Sequence, residues 1–152
     1  MKYIMKYGFT LIELLLTITI MVAAILATVT YLNPSGQLAQ SRNSQRLLHL
    51  NAVLNAIRQN IADNRGTFDC INGDIPTSTK RMAVGFGNYD IASCLSPNYL
   101  FGLPFDPATS TARFVSNLDY DTGYLIFKNI ATGQITLSAP AAELGQNISV
   151  TR

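Results

Sequence analysis

Glu13 is the residue with the most chemistry to explain, because it is the one charge in the 24-residue apolar stretch 9–32. A carboxylate inside an apolar helix costs a few kcal/mol on insertion scales, so it needs a cationic partner. Phe9 lies four residues upstream, directly after Gly8. Cutting the Gly8–Phe9 bond would give Phe9 a free ammonium. In a stack of parallel helices offset by about one turn, Glu13 of one copy then lies beside the Phe9 amine of the next, and each charge neutralises the other. Two further groups carry chemistry. Cys70 and Cys94 form an even pair, neither belonging to a CxxC motif. Arg42, Arg46, Arg58 and Arg65 crowd one segment that holds a single carboxylate, Asp63.

The elements that must position these groups begin at the N-terminus. Residues 1–8 are short and basic, with Lys2 and Lys6, and end in Gly8. The apolar run 9–32 follows; as a helix it reaches about 36 Å, enough to cross a hydrocarbon core of about 30 Å. The flanking lysines hold their end in the cytoplasm, so the rest of the chain faces outward. Three readings compete. A plain anchor gives Glu13 no partner. A secretory signal peptide cut after Val22-Ala23-Ala24 gives it none either. A cut between Gly8 and Phe9 supplies one.

The run Lys6-Tyr7-Gly8-Phe9-Thr10-Leu11-Ile12-Glu13-Leu14 resembles the N-terminal signal of type IV pilins and type II secretion pseudopilins. That resemblance implies cleavage by a prepilin peptidase after Gly8, N-methylation of Phe9, and packing of the apolar helix in a filament core. It implies an inner-membrane precursor with one pass, handed by a pilus or secretion assembly platform to a homo-oligomeric or mixed filament outside the cytoplasm. Residues 1–8 are then the leader, 9–32 the transmembrane and filament-core helix, and 33–152 the head. Leu103-Pro104-Phe105-Asp106-Pro107 is similar to a segment that precedes the sheet in major pseudopilins, although Ala108-Thr109-Ser110 replaces the Trp-Gly-Asn that often follows.

The head reads as α+β. Asn33-Pro34-Ser35-Gly36 interrupts the helical pattern, since Pro34 lacks a donor and disfavours helix at Asn33. An amphipathic helix is predicted over 37–65, with Leu47, Leu50, Leu54, Ile57 and Ile61 forming one apolar stripe against a sheet. Asn64-Arg65-Gly66 reads as its stop. Lone His49, beside the stripe, reads as a surface or half-buried histidine. Residues 67–111 read as a long loop with one helical turn near 90–95. A Cys70–Cys94 bridge would tie that loop down and stabilise by about 3 kcal/mol, against two unpaired thiols. Antiparallel strands are predicted within 112–152: one over 113–120, a hairpin of 124–128 with 134–138, and an edge near 148–150.

Net charge is +2, and Lys2 and Lys6 account for it, leaving nine residues of each sign from Phe9 onward. That balance argues against a dedicated nucleic-acid binder. The arginine-rich segment reads first as a solvated helix face. A DNA-binding minor pilin is the alternative, with Arg42 and Arg46 on one face and Arg58 and Arg65 on another, but no aromatic residues interleave with them. A membrane-tethered binding module is a further rival. Phosphate loops, nucleophile elbows and zinc motifs are missing from the sequence, so neither catalysis nor a cofactor is expected. Asp119 and Asp121 fall short of the roughly six oxygens that calcium needs. Asn147-Ile148-Ser149 matches a glycosylation acceptor, a common tripeptide.

Overall fold

The computed structural model describes residues 8–31 and 33–152. The leader lysines Lys2 and Lys6, and Leu32 at the end of the predicted span, lie outside the described residues. The chain divides into two compact units between Leu38 and Ala39.

In the first unit, α1 spans Leu11–Tyr31. Its start is fixed by Thr10, whose Oγ1 accepts the backbone N–H of Glu13 at 3.3 Å. This satisfies one of the donors that every helix N-terminus leaves free. Three hydroxyls along the helix turn back on it: Thr17, Thr19 and Thr28 each donate to the carbonyl three residues earlier at 2.8 Å. Such self-bonding lets a helix carry hydroxyls into lipid without stranding them. The 18 residues Leu11–Thr28 are long and apolar enough to cross a membrane, and none is buried within the protein.

The second helix, α2, spans Pro34–Asp63 and so begins three residues earlier than the sequence predicts. Pro34 occupies the first helical position, where its missing donor and fixed φ do no harm. Asn33 caps it, with its carbonyl accepting from Gly36 and Gln37 and its Oδ1 from the Ser35 hydroxyl. The helix ends at Asp63; Arg65 and Gly66 take positive φ, and the Gly66 N–H returns to the Ile61 carbonyl at 2.8 Å.

The head is α+β, with one antiparallel five-stranded sheet. Its strands are β1 (Lys80–Ala83), β2 (Arg113–Ser116), β3 (Asp119–Lys128), β4 (Ile135–Ala139) and β5 (Ile148–Thr151). The order is β1-β3-β4-β5, and β2 pairs the first residues of β3. Two predictions are corrected. Residues 113–120 form no single strand but a tight β2–β3 hairpin, with Ser116 opposite Asp119. The stretch 67–111 is not all loop and contains β1, paired with β3 through Lys80↔Ile126, so the sheet reaches outside 112–152. A short helix, α3 (Ala92–Leu95), follows β1.

The core lies between α2 and β3–β4. Alternate β3 residues Tyr120, Thr122, Tyr124 and Ile126 point inward, the period-2 signature of a half-buried strand. They meet Leu50, Val53, Leu54, Ala56 and Ile57 of α2, with Leu137 from β4. The buried face of α2 is rotated from the predicted stripe. Leu47 is 46% exposed, whereas Asn43, Arg46 and Asn60 are buried.

Candidate functional site

At the start of α1, Gly8 and Phe9 are exposed, so the bond between them is sterically open. Glu13 is exposed too, and its carboxylate has no partner among the described residues. The hydroxyls around it are satisfied internally. Glu13 is the one charged side chain on α1.

The head holds the converse arrangement. The Arg46 side chain is fully buried, overturning its reading as part of a solvated face. Its Nε and Nη2 donate to the two carboxylate oxygens of Asp106, at 2.7 and 3.1 Å, and Asp106 is equally buried. Arg46 Nη1 donates to Glu143 and to Asn43 Oδ1, each at 2.8 Å. Arg42 forms a second fork onto Glu143, at 2.6 and 2.8 Å. The Asn43 amide closes the cluster, donating to the Glu143 carbonyl and accepting its N–H. Bidentate guanidinium–carboxylate pairs are the strongest of their kind, and this one joins α2 to the 103–107 loop and to the β4–β5 connection.

The electrostatics follow from those contacts. Hydrogen bonds from Arg42 and then Arg46 pull the Glu143 carboxyl down to about 2. For Asp106, burial pushes the carboxyl up; the Arg46 hydrogen bond and the N–H groups of Ala108 and Thr109 outweigh it and hold it below the usual carboxylate range. The Asp106 bonds hold the Arg46 guanidinium above its ordinary value despite burial. His49 is half-buried, with Nδ1 2.9 Å from the Tyr124 hydroxyl, and burial lowers its pKa.

Cys70 and Cys94 form a disulfide with Cα atoms 5.0 Å apart. Asn60 stitches the same two segments: its amide donates to the Asp69 and Cys94 carbonyls, and its Oδ1 accepts the Asp69 N–H. Asp119 and Asp121 do not converge on a shared centre; Asp121 pairs with Arg81 and Asp119 with Arg113. Among the described residues there is no cluster of three or more metal-ligating side chains. Of the four arginines in the basic segment, Arg42 and Arg46 are committed within the head, while Arg58 and Arg65 stay exposed.

The buried ion-pair network that the sequence does not reveal is the Arg46–Asp106–Glu143 set. Its one available signal was the single Asp in Leu103-Pro104-Phe105-Asp106-Pro107, a carboxylate set in an apolar, proline-bounded segment. Comparison with protein-family profiles, curated proteins and solved structures finds no match to this chain.

Proposed function

We propose that this chain is a structural subunit of a type IV pilus or type II secretion pseudopilus. It is inserted in the inner membrane as a precursor, cut after Gly8, and polymerised through α1. The observation that carries this reading is Glu13: an exposed carboxylate on a membrane-length helix whose neighbouring hydroxyls already bond to their own backbone. A free Phe9 amine on an adjacent copy supplies the missing charge. The pairing fixes axial register, because a copy displaced along the axis leaves both charges unpaired in an apolar surrounding.

The head supports the reading by being self-sufficient. Its polar network is closed, and no buried side-chain nitrogen or oxygen among the described residues lacks a partner. Such a unit can ride on the outside of a filament.

Two measurements test the proposal. Mass spectrometry of membrane and sheared-filament fractions is expected to find a chain starting at N-methylated Phe9. A start at Ile25 means a signal peptide and ends the filament reading. An intact Met1 leaves a tethered module instead. In parallel, Glu13→Ala is expected to abolish filaments while leaving the precursor in the membrane; normal filaments from that variant contradict the mechanism.

A further inference from the structure

Three turns of the head end on apolar side chains open to solvent, and the fold brings them to the start of β3. The first is Val84-Gly85-Phe86-Gly87-Asn88. The Val84 N–H donates to the Tyr120 carbonyl at 3.2 Å, which holds this turn beside the first residues of β3. Gly85 and Gly87 take positive φ on either side of Phe86, whose side chain is fully exposed. The second is the β2–β3 turn, where Leu118 is 84% exposed. The third carries Phe101, also fully exposed. It is joined to the second through Ser96: the Asn117 amide donates to the Ser96 carbonyl at 3.2 Å, and the Ser96 hydroxyl to the Phe101 carbonyl at 3.1 Å. Gly102 keeps that join close, since a Cβ there would meet the Phe114 ring at 2.9 Å. Singly scattered exposed hydrophobics are ordinary, whereas apolar tips gathered from three turns mark a contact surface.

Polar groups behind the tips already have partners. Asn88 closes its own turn, its N–H donating to the Gly85 carbonyl at 3.3 Å and its amide to the Val84 carbonyl at 3.0 Å. The Leu118 N–H donates to Ser116 Oγ at 3.3 Å. Arg113 and Asp119, on the same hairpin, pair with each other. Polar groups satisfied from within are what a surrounding poor in water demands.

We propose that Phe86, Leu118 and Phe101 form a contact that dips into the headgroup region of a lipid bilayer. Separate protruding tips offer a rigid partner protein little surface to complement, whereas fluid lipid closes around any shape. A bilayer is also at hand. α1 is long and apolar enough to cross one, and a head tethered to the bilayer in this way needs only weak insertion of its own. The inference rests on the membrane-inserted precursor of the proposed function and does not need the filament.

The test uses the full-length chain at low density in vesicles of phosphatidylethanolamine and phosphatidylglycerol, with or without bromine on the upper part of the acyl chains. The sequence has no tryptophan, so each introduced one reports alone. Phe86→Trp and Phe101→Trp are compared with Ile130→Trp, an equally open apolar site on the β3–β4 turn, at the other end of β3. Bromolipid quenching of the first two is expected to exceed that of the third by about twofold or more, with emission shifted to shorter wavelength. No quenching of Phe86→Trp and Phe101→Trp in a chain that floats with the vesicles overturns the inference and leaves membrane insertion intact. Equal quenching at all three positions overturns the assignment to this end of the head. A shift to shorter wavelength without quenching means that protein covers the tips, and also overturns it. A chain that does not float with the vesicles overturns membrane insertion itself. Leu118→Trp gives a second readout: its quenching is expected to be lost when Phe86→Ser and Phe101→Ser are added, and unchanged quenching counts against the contact.

Discussion

Glu13, the one charge on α1, and Arg46, one of four charges on α2, are treated by the structure in opposite ways. Arg46 is met inside its own head by Asp106, Glu143 and Asn43. Glu13 is met by nothing among the described residues. A buried charge is tolerable only when its partners are present. The head therefore completes its own electrostatics, and on the filament reading proposed above another copy would complete those of α1. Loss of a partner should accordingly unfold the head at one site and prevent assembly at the other.

The largest effect expected on folding comes from breaking the complete side of this contrast. Asp106→Ala leaves the Arg46 guanidinium buried and unpaired, and is expected to destabilise the head by about 3–5 kcal/mol. Thermal denaturation in detergent reads the loss. Converting both partners, Arg46→Met with Asp106→Leu, is expected to recover most of it; failure to recover would mean that the pair also specifies the loop path.

Next in size is the disulfide. Cys70→Ser with Cys94→Ser releases a loop of 24-residue separation that contains β1, at an expected cost of about 3 kcal/mol. Asn60 spans the same gap by hydrogen bonds, so a smaller loss would show how much of the clasp Asn60 carries alone.

Acid sharpens the contrast further. The folded Glu143 pKa lies below its ordinary value of 4.5, so its contribution is present above that value and fades as pH falls toward about 2. Stability of the wild-type head is expected to drop through this window, together with the Asp106 contribution. Glu143→Gln is expected to flatten the curve there, and an unchanged acid profile would place the network's strength elsewhere.

A last comparison separates two leucines that look alike in sequence. Leu54→Ala, at a fully buried position, is expected to cost about 2–5 kcal/mol, whereas exposed Leu47→Ala should stay within about 0.5 kcal/mol. Equal losses would mean that Leu47 is covered.

The fold class was legible because helix and strand periods are local. Leu50, Leu54 and Ile57 repeat at helical spacing, and the turn at Ala131-Thr132-Gly133 separates β4 from the end of β3. β1 was not legible. Lys80-Arg81-Met82-Ala83 has no alternation, and its partner Ile126 lies 46 positions away. The β2–β3 hairpin was hidden for a related reason: the turn at Asn117-Leu118 has no glycine to mark it.

Local composition and spacing suffice for the membrane-length helix, the isolated carboxylate at Glu13, the Gly8–Phe9 junction before it, and an α+β head. Each depends on composition or spacing within a few turns of chain. Which arginines are solvated and which are structural, and which side of α2 faces the core, depend on long-range contacts. Arg46 lies 60 residues from Asp106 and 97 from Glu143. Hydropathy scores an arginine as polar wherever it stands. Whether it is solvated or buried depends on carboxylates that folding alone brings to it, and with Arg46 turned inward the buried stripe rotates and leaves Leu47 outside.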